Sequence, residues 1–105
     1  MLKVYGTKTC PDCRECRINF DRNGVAYEYV DLNASLANLK EFLRLRDRLP
    51  VFDGCKEGGS IGIPALLSED GSVTLDWEGF LTAQGLPIVY REQGAQACSI
   101  DGTGC

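Results

Sequence analysis

Residues 2–16 read LKVYGTKTCPDCREC, and this stretch decides the fold. Leu2 to Tyr5 is a short β-branched and aromatic run that reads as a strand, and Gly6-Thr7-Lys8-Thr9 reads as a loop. A helix is predicted to start at Cys10, because Pro11 suits the first helical position, where its missing N–H costs nothing. Asp12 and Glu15 fall in the first turn, at the positive end of the helix dipole. Cys13, Cys16 or Arg17, and Phe20 recur at helical spacing, and Asn23-Gly24 supplies a stop.

Working outward, Val25 to Leu32 (VAYEYVDL) reads as a second strand. Asn33 or Ser35 is placed to cap a second helix, whose apolar stripe is Leu36, Leu39, Phe42 and Leu43 and which Pro50 ends. The first half is therefore βαβα, which implies parallel strands joined by crossover helices. Arg48 to Ile61 reads as a long connection containing Cys55, Gly58 and Gly59. Pro64 to Leu67 then pairs as a hairpin with Ser72 to Leu75 across the turn Glu69-Asp70-Gly71, and Trp77 to Gln84 forms a last helix. Leu86 to Tyr90 (LPIVY) fits either a strand or a helix, since a short apolar run carries no period. The expected architecture is α/β, with a four-stranded mixed sheet (βαβ, then ββα) flanked by helices. One domain over residues 1–92 and a loose tail over 93–105, carrying Cys98 and Cys105, account for the chain.

The 105 residues carry a net charge of −4. That charge argues against nucleic acid and anionic membranes as partners. No apolar run approaches the ~20 residues a membrane span requires. MLKVYG at the start holds no long apolar signal, so a cytoplasmic, reducing location is expected. Six cysteines without a secretion signal point to redox chemistry or metal binding rather than a disulfide framework. There is no histidine, which excludes Cys–His catalysis and His-ligated zinc. The chemistry must run mainly on thiolates.

A thiol attacks a disulfide only as a thiolate. Cys10 lies where unpaired backbone N–H groups and the helix dipole favour an anion. Lys8 stands two residues away. Cys13 sits one turn further in and faces the core. Cys10 is thus the expected nucleophile and Cys13 the residue that resolves the mixed disulfide, with Pro11 stiffening the ring that results. Asp12, a carboxylate beside the nucleophile, opposes thiolate formation and should make the pair more reducing. The alternative is a zinc or iron–sulfur site on Cys10, Cys13 and Cys16, since C-x-x-C-x-x-C opens the bacterial ferredoxin run. Phe20 stands where the fourth cysteine of that run would be, so the fourth thiolate would have to come from Cys55, Cys98 or Cys105. Cys16 otherwise reads as a small buried helix residue. Lys40, Arg44, Arg46 and Arg48 read as a solvated helix face.

KTCPDC (Lys8 to Cys13), VAYEYVDL and GIPALL (Gly62 to Leu67) together resemble the glutaredoxin family, over Leu2 to about Gly79. CPDC is similar to the family's CPYC, with Asp12 in place of tyrosine. The resemblance implies a thioredoxin-like fold and a dithiol–disulfide oxidoreductase that reduces small-molecule or protein disulfides with no bound cofactor. It implies a cis Pro64 beside the active site and main-chain hydrogen bonds from Ile63 to a substrate. Lys8 would meet a substrate carboxylate, and Pro11 and Asp12 would line the groove. Trp77-Glu78-Gly79-Phe80 occupies the place of the family's glycine-rich glutathione stretch, with Gly79 its single glycine. The implied partners are a disulfide substrate and a thiol reductant or reductase, the donor being glutathione or another thiol.

Overall fold

The computed structural model describes residues 1–90. The elements run β1 (Leu2–Gly6), α1 (Pro11–Arg22), β2 (Tyr27–Asp31), α2 (Leu36–Arg48), a 3₁₀ turn (Pro50–Phe52), α3 (Asp53–Gly58), β3 (Ala65–Leu67), β4 (Val73–Thr74) and α4 (Trp77–Ala83). The four strands form one sheet in the order β2-β1-β3-β4. β1 and β2 are parallel, whereas β3 is antiparallel to both β1 and β4. This is the mixed α/β sheet of a thioredoxin-like fold, as the sequence implied. The 93–105 tail and the boundary after residue 92 lie outside the described residues.

β1 is central, and its alternation splits the core in two. Tyr5 packs with Cys10, Cys13, Val30, Phe42, Phe52 and Ile63. Val4 packs with Cys16, Phe20, Leu66, Trp77 and Leu81. Successive strand residues face opposite sides, so one pair of neighbours anchors both clusters. The helix signals are local and hold. Pro11 opens α1 with Cys10 as its N-cap, and the helix ends at Asn23 with Gly24 at φ 68°. Of the two candidate caps for α2, Ser35 is the one used: its hydroxyl accepts the Asn38 N–H at 3.1 Å.

Three expectations are corrected. The connection from Arg48 to Ile61 contains two helical turns, because Phe52 is drawn fully into the core, edge-on to Phe42 at 5.7 Å. Gly62 makes room for it: at φ 96°, a Cβ there would lie 2.8 Å from the Phe52 ring. The predicted α2 stripe is only half right. Phe42 is buried and Leu39 packs against the core, but Leu36 is 72% exposed and Leu43 37%. Arg46 is not merely solvated, since its guanidinium donates to the carbonyls of Ile61 and Ser60, both at 2.9 Å.

Leu86 to Tyr90 is neither strand nor helix. It is tied to α1 by Asn19, whose amide donates to the Val89 carbonyl and whose oxygen accepts the Val89 N–H, each at 2.7 Å. Among the described residues, no helix is long and apolar enough to cross a membrane.

Candidate active site

The loop from β1 delivers Cys10 to the N-cap of α1. Its extended backbone (φ −84°, ψ 118°) aims the side chain back over the first turn, where the sulfur accepts the Cys13 N–H at 3.3 Å. An N-cap side chain ordinarily offers oxygen to these orphan donors; here sulfur does so. Cys10 is 5% exposed and Cys13 not at all. Cys10 thus stands at the helix end and Cys13 beneath it in the first turn, both in one buried cluster.

Cys13 is a free thiol. Burial pushes it up to about 12, and the Asp12 charge adds to the rise. The Thr7 backbone and the Tyr29 hydroxyl hydrogen-bond the sulfur and pull the other way. Asp12 is itself raised, chiefly by burial, while a hydrogen bond from Trp77 Nε1 to its Oδ1 at 2.9 Å favours the charged form. Trp77 is 1% exposed, so the first residue of α4 is locked under the first turn of α1.

The remaining predicted residues divide. Ile63 packs in one cluster with Cys10 and Cys13, and the Ile63–Pro64 peptide is cis, as the resemblance implied. Pro11 is half-buried at the first position of α1. Lys8 is exposed, and its carbonyl accepts the Arg14 guanidinium at 2.6 Å, which fixes the loop before the motif. Gly79 serves the cap of α4. Its N–H donates to Asp76 Oδ1 at 2.9 Å, and a Cβ there would clash with the Asp76 carboxylate. That glycine's amide is committed within its own helix, where the resemblance implied a contact for a thiol ligand.

Cys16 is fully buried, in the cluster opposite that of Cys13. Among the described residues no group of three or more His, Cys, Asp or Glu side chains is placed to hold a metal ion. The core reading of Cys16 agrees with this placement. Cys55 is half-buried on α3.

Three contacts of the site were not read from the sequence: Trp77 on Asp12, and Thr7 and Tyr29 on Cys13. Gly6 carried the available signal. A glycine at a strand end marks close approach, and here a Cβ would lie 2.7 Å from Tyr29 Oη and 2.8 Å from Cys13 Sγ.

A parallel β1–β2 pair, an antiparallel β3–β4 hairpin and two cysteines in the first turn of the helix after β1 define a thioredoxin-like protein. The glutaredoxin family model matches residues 2–51. An uncharacterized protein of Haemophilus influenzae is 47% identical over 73 residues, which cover 70% of this chain and 85% of that relative. No solved structure matches. The chain belongs to the glutaredoxin family.

Proposed function

We propose that the chain is a dithiol thiol–disulfide oxidoreductase acting through Cys10 and Cys13. The observation that carries the reading is the Cys13 N–H on the Cys10 sulfur at the start of α1. The Cys10 thiolate attacks one sulfur of a substrate disulfide. A mixed disulfide forms, and the other substrate sulfur leaves and takes up a proton. Cys13 then loses its proton and attacks the Cys10 sulfur. The Cys10–Cys13 disulfide closes, and the second substrate thiol leaves with a proton. Two electrons pass from the dithiol to the substrate, and a low-molecular-weight thiol such as glutathione, or a reductase, returns them. No bound cofactor takes part.

Ile63, which shares a buried cluster with Cys10 and Cys13 and precedes the cis Pro64, would offer its main chain to an extended substrate segment. Lys8, exposed on the approach, offers a cation to a carboxylate on the donor. Small-molecule or protein disulfides of a reducing cytoplasm are the substrate class. Cys10→Ser should abolish disulfide reduction, and Cys13→Ser should accumulate a mixed disulfide visible by intact mass. Full activity in Cys10→Ser would refute the reading.

A further inference from the structure

The inner sulfur has the harder task. Cys13 must lose a proton inside a fully buried site, and no histidine exists to take it. What surrounds that sulfur is specific. At Gly6, the end of β1, the backbone leaves one gap that Tyr29 Oη and Cys13 Sγ both border, each within 2.8 Å of where a Cβ would stand. Tyr29 lies on the neighbouring strand β2, paired with Val4. Its hydroxyl donates to the Thr7 carbonyl at 3.1 Å, and the Cys13 sulfur borders the same Gly6 position as that hydroxyl.

A phenol has one proton and can accept as well as donate. While Cys13 is a thiol, the Tyr29 proton rests on Thr7. Once Cys13 is a thiolate, the same proton has a charged acceptor beside it, and hydrogen bonds to charged groups are the stronger kind. Burial and the nearby sulfur keep Tyr29 protonated, so it serves as a donor and not as a base. Arg17 adds to this. Its guanidinium carbon sits 4.0 Å from the centroid of the Tyr29 ring, and a cation over a phenol ring withdraws density and strengthens the O–H as a donor.

We propose that Tyr29 is a further catalytic residue of the exchange reaction: its hydroxyl turns from the Thr7 carbonyl to the Cys13 sulfur as that sulfur loses its proton, and so stabilises the thiolate that resolves the mixed disulfide. The step changes no bookkeeping of bonds. The Cys13 proton ends on the departing substrate thiol, the Cys10–Cys13 bond replaces the Cys10–substrate bond, and Tyr29 keeps its own proton. The proposal rests on the thiol–disulfide reading given above.

Tyr29→Phe removes the hydroxyl and keeps the ring beneath Arg17. The full chain is loaded at Cys10 with a fluorogenic aryl thiol, and release of that thiol is followed against pH by stopped flow. Loss of a charge-assisted hydrogen bond, partly offset by a more nucleophilic sulfur, should slow resolution roughly three- to tenfold near neutral pH. The pH at which the rate rises should move upward. The first attack, measured in a Cys13→Ser background, should keep its rate, which a merely structural defect would not allow. Arg17→Gln is the second variant, for use if Tyr29→Phe does not fold. It keeps the hydroxyl and should slow resolution by a smaller factor, again sparing the first attack. Resolution at the parental rate and pH profile in the folded variant overturns the proposal, as does equal slowing of both steps. A parent chain that forms no mixed disulfide overturns the thiol–disulfide reading and this proposal with it, whereas an active parent matched by Tyr29→Phe overturns this proposal alone.

Discussion

Asp12→Asn should speed the second half of the reaction. The substitution removes a charge and preserves shape, because an amide oxygen still accepts the Trp77 Nε1–H now found 2.9 Å from Asp12 Oδ1. Asp12 is among the causes that raise Cys13, second to burial among those that raise it. It is half-buried, so its field is partly screened. Two unit charges ~7 Å apart at an effective dielectric of ~20–40 interact by ~1–2 kcal/mol, which is about one pKa unit on the Cys13 thiol. The thiolate fraction then rises about tenfold, but the nucleophilicity of a less basic thiolate falls, with a Brønsted slope near ~0.5, and the net gain is about threefold. The assay is release of a fluorogenic thiol from a mixed disulfide on Cys10 at about pH 8, well above the ordinary carboxylate range. A companion redox titration should place the variant at a more oxidising potential, since removing the negative charge stabilises the reduced, ionised form. A slower release would refute the electrostatic argument and make Asp12 the group that accepts the Cys13 proton. An unchanged rate would show that Trp77 holds the charge where the sulfur does not feel it.

Gly6→Ala places a methyl within 2.8 Å of both Tyr29 Oη and Cys13 Sγ; overpacking of this kind should cost ~1–3 kcal/mol, read as a lower urea midpoint, and an unchanged midpoint would show that the strand end yields. Asn19→Ala removes both hydrogen bonds to Val89 and should release residues 86–90, so that the Val89 amide exchanges with solvent at an elevated rate; unchanged protection would place the anchor of this segment elsewhere. Trp77→Phe removes the N–H that favours charged Asp12, a group whose folded pKa is raised above the ordinary value of 3.8. A raised acid gives the folded state stability that is fully present below that value and lost as pH rises through the folded pKa. The variant should therefore lose more stability than the parent between acid and neutral pH, compared as urea midpoints, and an equal loss would refute the role assigned to the indole.

What the sequence made legible was what neighbouring residues decide. Pro11 at a helix start, Asn23-Gly24 at its end and the two strands with a helix between them all rest on contacts a few residues apart, and each stands in the structure. The α2 stripe failed in an instructive way. Leu36 and Leu43 have the spacing of a buried face, but the side that packs runs through Leu39, Phe42, Leu45 and Leu49, so Leu43 is turned about 100° away from Phe42 and Leu36 lies before the first packed residue. The helical turns between Arg48 and Ile61 were hidden for a similar reason, because Phe52 gains its place only through Phe42 and the bare backbone of Gly62.

The site divides along the same line. The placing of Cys10 at the helix start and Cys13 in its first turn was readable, since a helix N-terminus is local. The environment of the inner sulfur was not, since Tyr29 arrives on another strand and Trp77 reaches Asp12 across 65 residues of chain. That distant contact changes what Asp12 is for. The sequence set its charge against Cys10 by adjacency alone. In the structure it is pinned by the indole in the first turn and bears on Cys13, a thiol that burial already makes hard to ionise. Asp12 and Tyr29 thus act on one sulfur with opposite sign. On the proposed mechanism, the ratio of the Asp12→Asn and Tyr29→Phe resolution rates measures that balance directly.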